Sequence, residues 1–422
     1  MDIRKTVVAA VAALPLFASF AALEVVSPQE GETVEQLWPA EKAFLDMPRE
    51  SRATYHDAEH TEEWKRLKRC KASAKPVEFK WRGAAGPSTV KVSRLPDGKV
   101  FYEGTKTGDS FAITGRLEIA RRWKFEVSSA GEEASVTFST EDRAPRIITL
   151  DGVKNARDIG GRIGLDGRRI KQGLVFRTGG LNENANNVYW TYDEIMQLYK
   201  EGKLETAGVG TSRSLGPGYA AKIKSGKGLD KNFLRLIKSY PTEAGKARMS
   251  AADLAFLNDF IGVKTDIDFR NDRECFRMLV SPLGEHVNWC HYPVWAGYGG
   301  FNTPRGRSAM ALSFSEFLEA RNYPIVFHCI GGADRTGTFA YLLEAFLGVD
   351  EEEMVRDYEV TFMGGCGVDK RHYGWFMSLF NAVKALPGDT YPEKLKRYFV
   401  SLGFTEEEVE KVREFLLEPR AE

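Results

Sequence analysis

The chain has 422 residues, of which 43% are hydrophobic and 28% charged, a composition typical of globular proteins rather than disordered ones. Lysine plus arginine and aspartate plus glutamate both total 59, so the net charge of zero excludes a bulk attraction to nucleic acid or anionic membrane. This length predicts one to three domains, each with ample surface to bury.

The N-terminus has the pattern of a secretory signal. Arg4 and Lys5 precede an almost wholly apolar run over 6–22, and residues 19–21 are a Ser-Phe-Ala sequence of the kind that signal peptidase reads. The run is shorter than the ~20 apolar residues that span a bilayer, and Pro15 interrupts it. We therefore predict a signal peptide over 1–22 and an exported protein, periplasmic or secreted, with no stable membrane span; a membrane anchor is the alternative.

The chain has an odd number of cysteines, namely Cys70, Cys275, Cys290, Cys329 and Cys366. In an exported protein this predicts at least one free thiol, and Cys329 is the candidate. A disulfide among Cys275, Cys290 and Cys366 is left open, because their spacing does not pair them.

Residues 76–140 carry the pattern of short β-strands separated by turns. Apolar and polar residues alternate with period two over 77–81, 89–93, 124–127 and 134–138. We predict an all-β sandwich over 23–145 with Trp81 and Trp123 in its core. Its pattern resembles a fibronectin-III or immunoglobulin-like module, for which a glycan or cell-surface molecule is the expected partner. An earlier charged stretch, 59–71, predicts a helix.

Residues 146–422, after a linker at 142–145, alternate between strand and helix patterns. The strand candidates are 265–269 and 325–328, and the helix candidates are 251–261, 313–321, 336–347, 351–361 and 370–385. This predicts an α/β domain with a central, mostly parallel sheet flanked by helices. A Gly-, Lys-, Asn- and Ser-rich stretch at about 182–249 predicts a loop-rich insertion. The sequence Thr-Glu-Glu-Glu at 405–408 predicts the cap of the last helix.

The most informative segment is His-Cys-Ile-Gly-Gly-Ala-Asp-Arg-Thr-Gly at 328–337. We call residues 329–335 the cysteine loop. An apolar strand pattern precedes it and a helix pattern follows, so a nucleophile, a glycine-rich turn and a helix N-terminus coincide. This combination predicts attack by sulfur on a phosphate ester.

The residue types in the cysteine loop are those that attack on a phosphate ester requires. A phosphate monoester is a dianion, so the attacking Cys329 must be a thiolate, which a helix N-terminus and nearby cations favour. Gly331 and Gly332 permit a tight backbone whose amides turn inward. Arg335 can clamp two phosphate oxygens with its planar guanidinium.

The other loop residues receive supporting roles. Thr336 could donate a hydroxyl hydrogen bond to sulfur, and His328 is expected to fix the loop through hydrogen bonds rather than to transfer protons. The residues predicted to contact the substrate are Ile330, Gly331, Gly332, Ala333, Thr336 and Gly337. The six histidines show no metal-ligand spacing, so we expect no metal and no other cofactor.

This loop resembles the Cys-x5-Arg-[Ser/Thr] loop of the protein tyrosine and dual-specificity phosphatases. The segments 155–161, 173–177 and 267–270 are similar to those of the bacterial tyrosine phosphatase family, so that the resemblance covers roughly 146–422. It implies a phosphocysteine intermediate and a phosphorylated protein or small phosphate ester as substrate. Many relatives carry a lysine, associated with lipid phosphates, where this chain has Ala333.

The resemblance also implies a carboxylic acid that protonates the leaving oxygen. Residues 275–328 contain no aspartate, although many tyrosine phosphatases carry the acid on a loop in that region. We therefore predict Asp334 as the acid, with Asp268 and Asp272 as second choices. An ordinary loop-organising carboxylate is the alternative for Asp334.

The remaining motif residues are expected to be structural. Asn155, Arg157 and Asp158 are predicted to brace the loop, and Asp268 and Arg270 to pair with each other. Three aromatic residues, Trp295, Tyr298 and Phe301, either wall the pocket or pack in the core.

Three functions follow as hypotheses. The first is an exported phosphatase for phosphotyrosine or similar monoesters. The second is an inositol-polyphosphate or phosphoinositide phosphatase that uses the same mechanism. The third is a non-catalytic surface-binding protein whose second domain is an inactive phosphate sensor.

Overall fold

The computed structural model describes residues 22–53, 73–181, 197, 200–203, 249–271, 274, 280–363 and 370–420. The chain divides into two compact units. The smaller contains the described residues of 1–34 with 78–112 and 122–139, and the larger contains those of 35–77, 113–121 and 140–422. The predicted signal peptide (apart from Ala22), the helix predicted over 59–71 and nearly all of the predicted insertion lie outside the described residues.

The smaller unit is built from β-strands that form two sheets. Its strands are β1 (Glu24–Ser27), β2 (Thr33–Val34), β3 (Val77–Arg82), β4 (Ser88–Leu95), β5 (Val100–Lys106), β6 (Ser110–Ile113), β7 (Arg122–Ser129) and β8 (Glu132–Thr140). One sheet has the order β1-β3-β6 and the other β2-β8-β7-β4-β5. Along β7, exposed and buried side chains alternate, as the period-two pattern predicts.

Aromatic side chains form the core of this unit. The ring of Phe79 on β3 lies 4.9 Å from that of Phe125 on β7 and 5.7 Å from that of Phe138 on β8. Trp81 and Trp123 are buried as predicted. The indole N–H of Trp81 donates to Ser88 Oγ at 3.0 Å, so its burial leaves no polar atom unpaired.

The larger unit combines helices with a third sheet. Its strands are β9 (Arg157–Asp158), β10 (Val175–Thr178), β11 (Thr265–Asp268), β12 (Asn288–His291) and β13 (Ile325–His328). Its α-helices are α1 (Pro39–Asp46), α2 (Arg49–Ala53), α3 (Ala251–Ala255), α4 (Tyr298–Asn302), α5 (Pro304–Ser315), α6 (Asp334–Leu347), α7 (Glu351–Val360), α8 (Lys370–Lys384), α9 (Tyr391–Ser401) and α10 (Glu406–Leu416). A π-helical turn, Phe256–Ile261, continues α3, and 3-10 turns at Glu316–Leu318 and Ala320–Asn322 follow α5.

The sheet of the larger unit has the order β12-β11-β13-β10-β9. β13 pairs in parallel with β11 and β10, β11 pairs in parallel with β12, and β9 pairs antiparallel to β10. The prediction of a sheet-rich N-terminal region followed by a mixed α/β region is confirmed. All four residues of β13 are buried, which explains why Ile325, Val326 and Phe327 follow one another without alternating polar residues.

Helix α6 starts at the end of the cysteine loop and runs through the core. Every residue from Thr336 to Leu347 is buried, and Gly348 ends the helix in the left-handed conformation that glycine adopts without strain. Thr405 caps α10 in the predicted capping box with Glu408. Among the described helices, none combines the length and apolar character needed to cross a bilayer.

Residues 35–77 and 113–121 group with the larger unit, although the strand pattern assigned both to the sandwich. The reason is burial, since Phe44 and Leu45 of α1 belong to the hydrophobic core of the larger unit. Arg52 on α2 is fully buried and donates from Nε to Glu359 Oε2 on α7 at 2.6 Å. A strand pattern cannot detect such a segment, because its partners lie about 300 residues away in the chain.

The buried Arg52–Glu359 pair predicts a large loss of stability on removing one partner. Arg52→Met leaves Glu359 without its cation in the core, so we expect the free energy of unfolding in urea to fall by about 3–5 kcal/mol. Adding Glu359→Gln should recover part of this loss. The control Arg397→Met breaks the exposed pair with Glu393 and should cost less than about 1 kcal/mol. Equal losses in the two single variants would contradict the role of burial.

Candidate functional site

The site is built at the carboxyl ends of the parallel strands, where α/β sheets hold their ligands. The last residues of four strands, Thr178, Asp268, His291 and His328, lie in register across the sheet. Cys329 follows directly after His328. The strand pairing therefore brings the cysteine loop beside the segments that follow β10, β11 and β12.

Donors from neighbouring segments hold the carbonyl groups of the cysteine loop. Gly180 N donates to the Ile330 carbonyl at 2.8 Å. Asn155 Nδ2 donates to the carbonyls of Gly331 and Gly332, at 3.3 and 2.9 Å, and Arg177 Nη2 donates to that of Gly332 at 2.8 Å. Within the described part of the chain, the amides of Ile330, Gly332 and Ala333 have no acceptor. Those amides are thus available to an anion.

Two residues take up the left-handed backbone that this arrangement requires. Gly332 has a φ of +67°, and a Cβ there would lie 2.5 Å from the Thr178 carbonyl oxygen. A side chain at 332 is therefore excluded by both conformation and space. Asn155 has a φ of +56°, which asparagine tolerates better than most residues, and this turn directs its amide to the loop.

Cys329 and Arg335 are the reactive pair that the sequence predicts. Cys329 is 3% exposed and is a free thiol. Arg335 donates from Nη1 and Nη2 to the two carboxylate oxygens of Glu274, at 2.6 and 3.2 Å, and from Nη1 to the Phe269 carbonyl at 3.3 Å. Burial alone would lower the pKa of Arg335, but Glu274, Cys329 and Asp268 raise it.

Thr336 and Asp334 lie at the N-terminal turn of α6. The Thr336 hydroxyl is buried and has no hydrogen-bond partner among the described residues. Asp334 is partly exposed; Tyr358 Oη donates to its Oδ1 at 3.3 Å, and His372 Nε2 lies 3.7 Å from its Oδ2. Asp334 is thus the acidic side chain of the loop with some access to solvent.

Asp268 is in a different environment, fully buried and paired with Arg270 through both carboxylate oxygens at 2.7–3.1 Å. Burial would raise the pKa of Asp268, but Arg270 and His328 hold it well below its usual range. His328 Nε2 in turn lies 3.0 Å from Asp266 Oδ1. His328 Nδ1 lies 3.9 Å from Asp268 Oδ1. Burial lowers the pKa of His328, whereas Asp268 and Asp266 raise it more.

An arginine cluster (Arg157, Arg162 and Arg177 around Asp357) lies behind the loop. Asp357 accepts from Arg157 at 2.8 Å, from Arg162 at 2.7 Å, and from Arg177. Burial opposes ionisation of Asp357, yet the three cations hold its pKa well below the usual range. Arg157 also donates to Asn155 Oδ1 at 2.5 Å and Arg177 donates to Gly332, so this cluster orients the residues that hold the loop.

Asp158, also fully buried, braces the segment that follows Asn155. It accepts from Arg146 Nη1 at 2.9 Å and from the backbone amides of Gly160 and Gly173 at 2.8 and 2.7 Å. Its contacts thus fasten the chain on both sides of a loop rather than reaching the sulfur.

Comparison with known proteins agrees with this geometry. A family model described as the tyrosine phosphatase family matches residues 148–190 and 243–372. A provisionally named tyrosine-protein phosphatase of Cupriavidus necator is 24% identical over 234 residues, half of this chain and 61% of that protein. The chain is thus similar to tyrosine phosphatases. It spans about three fifths of the length of this relative.

Sequence reasoning missed Glu274 and Asp357, the acids that orient the arginines of this tyrosine-phosphatase-like site. Glu274 accepts from the amide of Asn271 at 2.6 Å, so it belongs to the turn after β11. The sequence signal that could have found Glu274 is a carboxylate that follows shortly after a parallel strand next to β13. That signal does not distinguish Glu274 from Asp272, which lies outside the described residues. Asp357 lies on a distant helix, and the sequence gives no sign of its partners.

The aromatic residues proposed for the pocket wall separate in the structure. Phe301 is buried in the core of the larger unit and stacks on Tyr398 with ring centroids 4.6 Å apart. Trp295, by contrast, is 64% exposed. The side chain of Tyr298 lies outside the described residues.

Cys290 is the second free and buried cysteine, so it forms no disulfide here. Burial, its largest influence, raises its pKa, which makes it an inert thiol. Cys70, Cys275 and Cys366 lie outside the described residues.

Within the described ranges, no group of three or more His, Cys, Asp and Glu side chains is arranged to hold a metal ion.

The lowered pKa of Asp268 predicts a pH-dependent contribution to stability. A carboxylate with a depressed folded-state pKa stabilises the fold above its unfolded value of about 3.9, and this contribution is lost as the pH falls further. Asp268→Asn should therefore lower the free energy of unfolding by about 3–5 kcal/mol near neutral pH, where the ion pair is intact. The difference from the parent protein should shrink below about pH 4.

Urea unfolding at a series of pH values measures this difference. Asp389→Asn, at an exposed position of the same unit, is the control and should leave stability nearly unchanged. A difference for Asp268→Asn that stays constant down to acid pH would contradict the assignment of a strongly stabilised carboxylate.

Proposed function

We propose that this chain is a cysteine-dependent phosphatase that hydrolyses phosphate monoesters, phosphotyrosine or similar, through a phosphocysteine intermediate. The observation that carries the proposal is the construction of the cysteine loop. Three carbonyls of the loop are tied to donors outside it, while the amides of Ile330, Gly332 and Ala333 remain available around Cys329. The match to the tyrosine phosphatase family supports the same reaction.

The reaction begins with attack by the sulfur of Cys329, which precedes the start of α6 at Asp334 by five residues. The loop amides and Arg335 bind the non-bridging phosphate oxygens, which lowers the repulsion between thiolate and dianion. A sulfur–phosphorus bond forms as the bond from phosphorus to the leaving oxygen breaks. Water then attacks phosphorus, releases inorganic phosphate and returns the electron pair to sulfur, where the Thr336 hydroxyl can donate a hydrogen bond.

Glu274 acts by orienting Arg335 before the substrate binds. Its two hydrogen bonds fix the plane of the guanidinium beside the loop. A planar guanidinium held in one orientation loses less entropy when it binds two phosphate oxygens. Glu274 is thus a positioning residue, since it acts through Arg335.

Asp334 is the acid that protonates the leaving oxygen. It is partly exposed at the start of α6, and Tyr358 and His372 orient its carboxyl group. Asp268 is poorly suited to this role, because Arg270 occupies both its oxygens and its pKa lies too low to retain a proton.

Replacing the nucleophile is the first test of the function. Cys329→Ser should abolish phosphate release from an aryl phosphate, whereas Cys290→Ser, which removes the other buried free thiol, should retain it. Activity of the parent protein should persist in metal-free buffer with EDTA. Acid-quenched parent protein should carry one phosphoryl group on Cys329 by mass spectrometry. Activity that survives Cys329→Ser would overturn the proposal; tight binding of phosphate ester without phosphate release would favour the non-catalytic sensor.

Replacing the acid tests the second role. Asp334→Asn should lower kcat by about 10²- to 10⁴-fold on phenyl phosphate, whose leaving group needs a proton. The loss should be much smaller on p-nitrophenyl phosphate, because nitrophenolate leaves without protonation. Asp268→Asn should show no such dependence on the leaving group. Equal losses of Asp334→Asn on both substrates would mean that Asp334 only organises the loop.

We also propose that the protein is exported and that the two sheets of the smaller unit form a fibronectin-III-like or immunoglobulin-like sandwich. Support for export comes from the signal pattern over 1–22. The ring contacts between Phe79 on one sheet and Phe125 and Phe138 on the other support the sandwich. A glycan or cell-surface molecule is the partner that such a module would bind, and a glycan array on the full chain tests this.

A further inference from the structure

We propose that Tyr358 is a positioning residue that holds Asp334 while it loses its proton, by serving first as acceptor and then as donor to the same carboxyl group. The inference rests on the proposed function, in which Asp334 protonates the leaving oxygen. It adds a residue that the sequence pattern does not single out and that acts on the reaction through Asp334.

The role of Asp334 requires a partner that fits two protonation states. As the bond from phosphorus to the leaving oxygen breaks, the Asp334 O–H bond breaks too, and the proton passes to that oxygen. The carboxyl group thus begins the step neutral and ends it ionised. Its side chain is 24% exposed, so it can regain a proton from solvent before the next turnover. An arginine partner, such as the one that Arg270 provides for Asp268, would instead favour the ionised state alone.

Packing fixes the ring of Tyr358 beside this carboxyl group. Tyr358 lies on α7 and is buried. Its ring is nearly parallel to that of Phe376 on α8, with an interplanar angle of 3° and centroids 3.9 Å apart. On α6, a Cβ on Gly337 would lie only 3.0 Å from Tyr358 Cδ2, so the absence of a side chain at 337 leaves room for the ring. The hydroxyl group is therefore held in position by contacts with two helices.

The hydroxyl group of Tyr358 lies between two acceptors. Tyr358 Oη is 3.3 Å from Asp334 Oδ1 and 3.1 Å from the carbonyl oxygen of His372. A phenol has one proton, so it can complete only one of these hydrogen bonds at a time. Both distances are longer than the roughly 2.7 Å that is usual for O–H···O bonds, as expected for an oxygen that two acceptors share.

This position lets one hydroxyl group serve both states of Asp334, since a phenol both donates and accepts. While Asp334 is neutral, its O–H can donate to Tyr358 Oη, and Tyr358 donates to the His372 carbonyl. As Asp334 loses its proton, the Tyr358 O–H turns to Oδ1, because the bond to a carboxylate is the stronger one. The hydrogen bond thus strengthens in the transition state, which is the condition for an interaction to accelerate a reaction.

Tyr358 keeps its own proton throughout the reaction. Burial, followed by the charge of Asp334, raises the pKa of Tyr358 well above its usual range, while Arg177 opposes this effect. Two further titratable groups, His372 and Tyr373, face the pair. A tyrosine that stayed neutral in this setting remains a donor at the moment when the Asp334 carboxylate forms.

Removing only the hydroxyl group tests this role. Tyr358→Phe keeps the ring in its packing, and kcat/KM for phenyl phosphate should fall by about tenfold, through loss of one hydrogen bond to a charged group. For p-nitrophenyl phosphate, kcat/KM should change by less than about twofold, because nitrophenolate leaves without protonation. Retained turnover of this second substrate also shows that the variant folds.

Tyr373→Phe is the matched control. It removes the hydroxyl group of a neighbouring tyrosine, whose ring centroid lies 6.3 Å from that of Tyr358 and whose hydroxyl donates to Glu359. Neither rate should change in this variant. Equal losses on the two substrates in Tyr358→Phe would overturn the inference, since a general disturbance of the site does not depend on the leaving group.

A double variant, Asp334→Asn with Tyr358→Phe, tests whether Tyr358 acts through Asp334. Once Asp334 is replaced, removing the hydroxyl group should cause no further loss on phenyl phosphate. Losses that multiply would contradict the inference, because Tyr358 would then act independently of Asp334.

Three results separate this inference from the function on which it rests. A dependence on the leaving group in Asp334→Asn but not in Tyr358→Phe would overturn the role of Tyr358 alone. Cys329-dependent turnover without that dependence in either variant would overturn the acid and Tyr358 together. Absence of Cys329-dependent turnover in the parent protein would overturn the phosphatase, and the inference with it.

Discussion

The hydrogen bonds that hold the carbonyls of residues 330–332 are the constraint on which the site depends. A backbone turn that offers amides to an anion must give its carbonyl oxygens to other donors, because an unpaired buried carbonyl is costly. Gly180, Asn155 and Arg177 provide those donors. Arg177 lies on β10, Gly180 follows that strand, and Asn155 precedes β9. The order of the strands in the sheet therefore places all three donors beside the cysteine loop.

These donors are themselves held by buried charge. Asp357 lies among Arg157, Arg162 and Arg177. Any one of these charged groups would strongly destabilise the fold if it were buried in the core without the others. Burial raises the pKa of nearby Glu344, which favours the neutral form of that carboxyl. The cluster therefore keeps an excess of positive charge behind a loop suited to a dianion.

Three carboxyl groups near Cys329 receive different roles from their surroundings. Asp268 is buried against Arg270 and stays ionised, Glu274 pairs with Arg335, and Asp334 is contacted by Tyr358 and His372. Environment rather than residue type thus distinguishes a structural anion, an arginine holder and a proton donor.

The sequence alone determined β13, α6 and the position of Cys329 just before a helix N-terminus. The signals for these features, namely an apolar run, two glycines and a helix pattern, are properties of neighbouring residues. They also determined the alternating strands around Trp81 and Trp123. Only the tertiary structure decided that Arg52 packs on Glu359, that Glu274 holds Arg335 and that His372 lies beside Asp334. Those contacts join residues 38 to 307 positions apart, and no local pattern records which distant side chains the sheet order and the helix packing bring together.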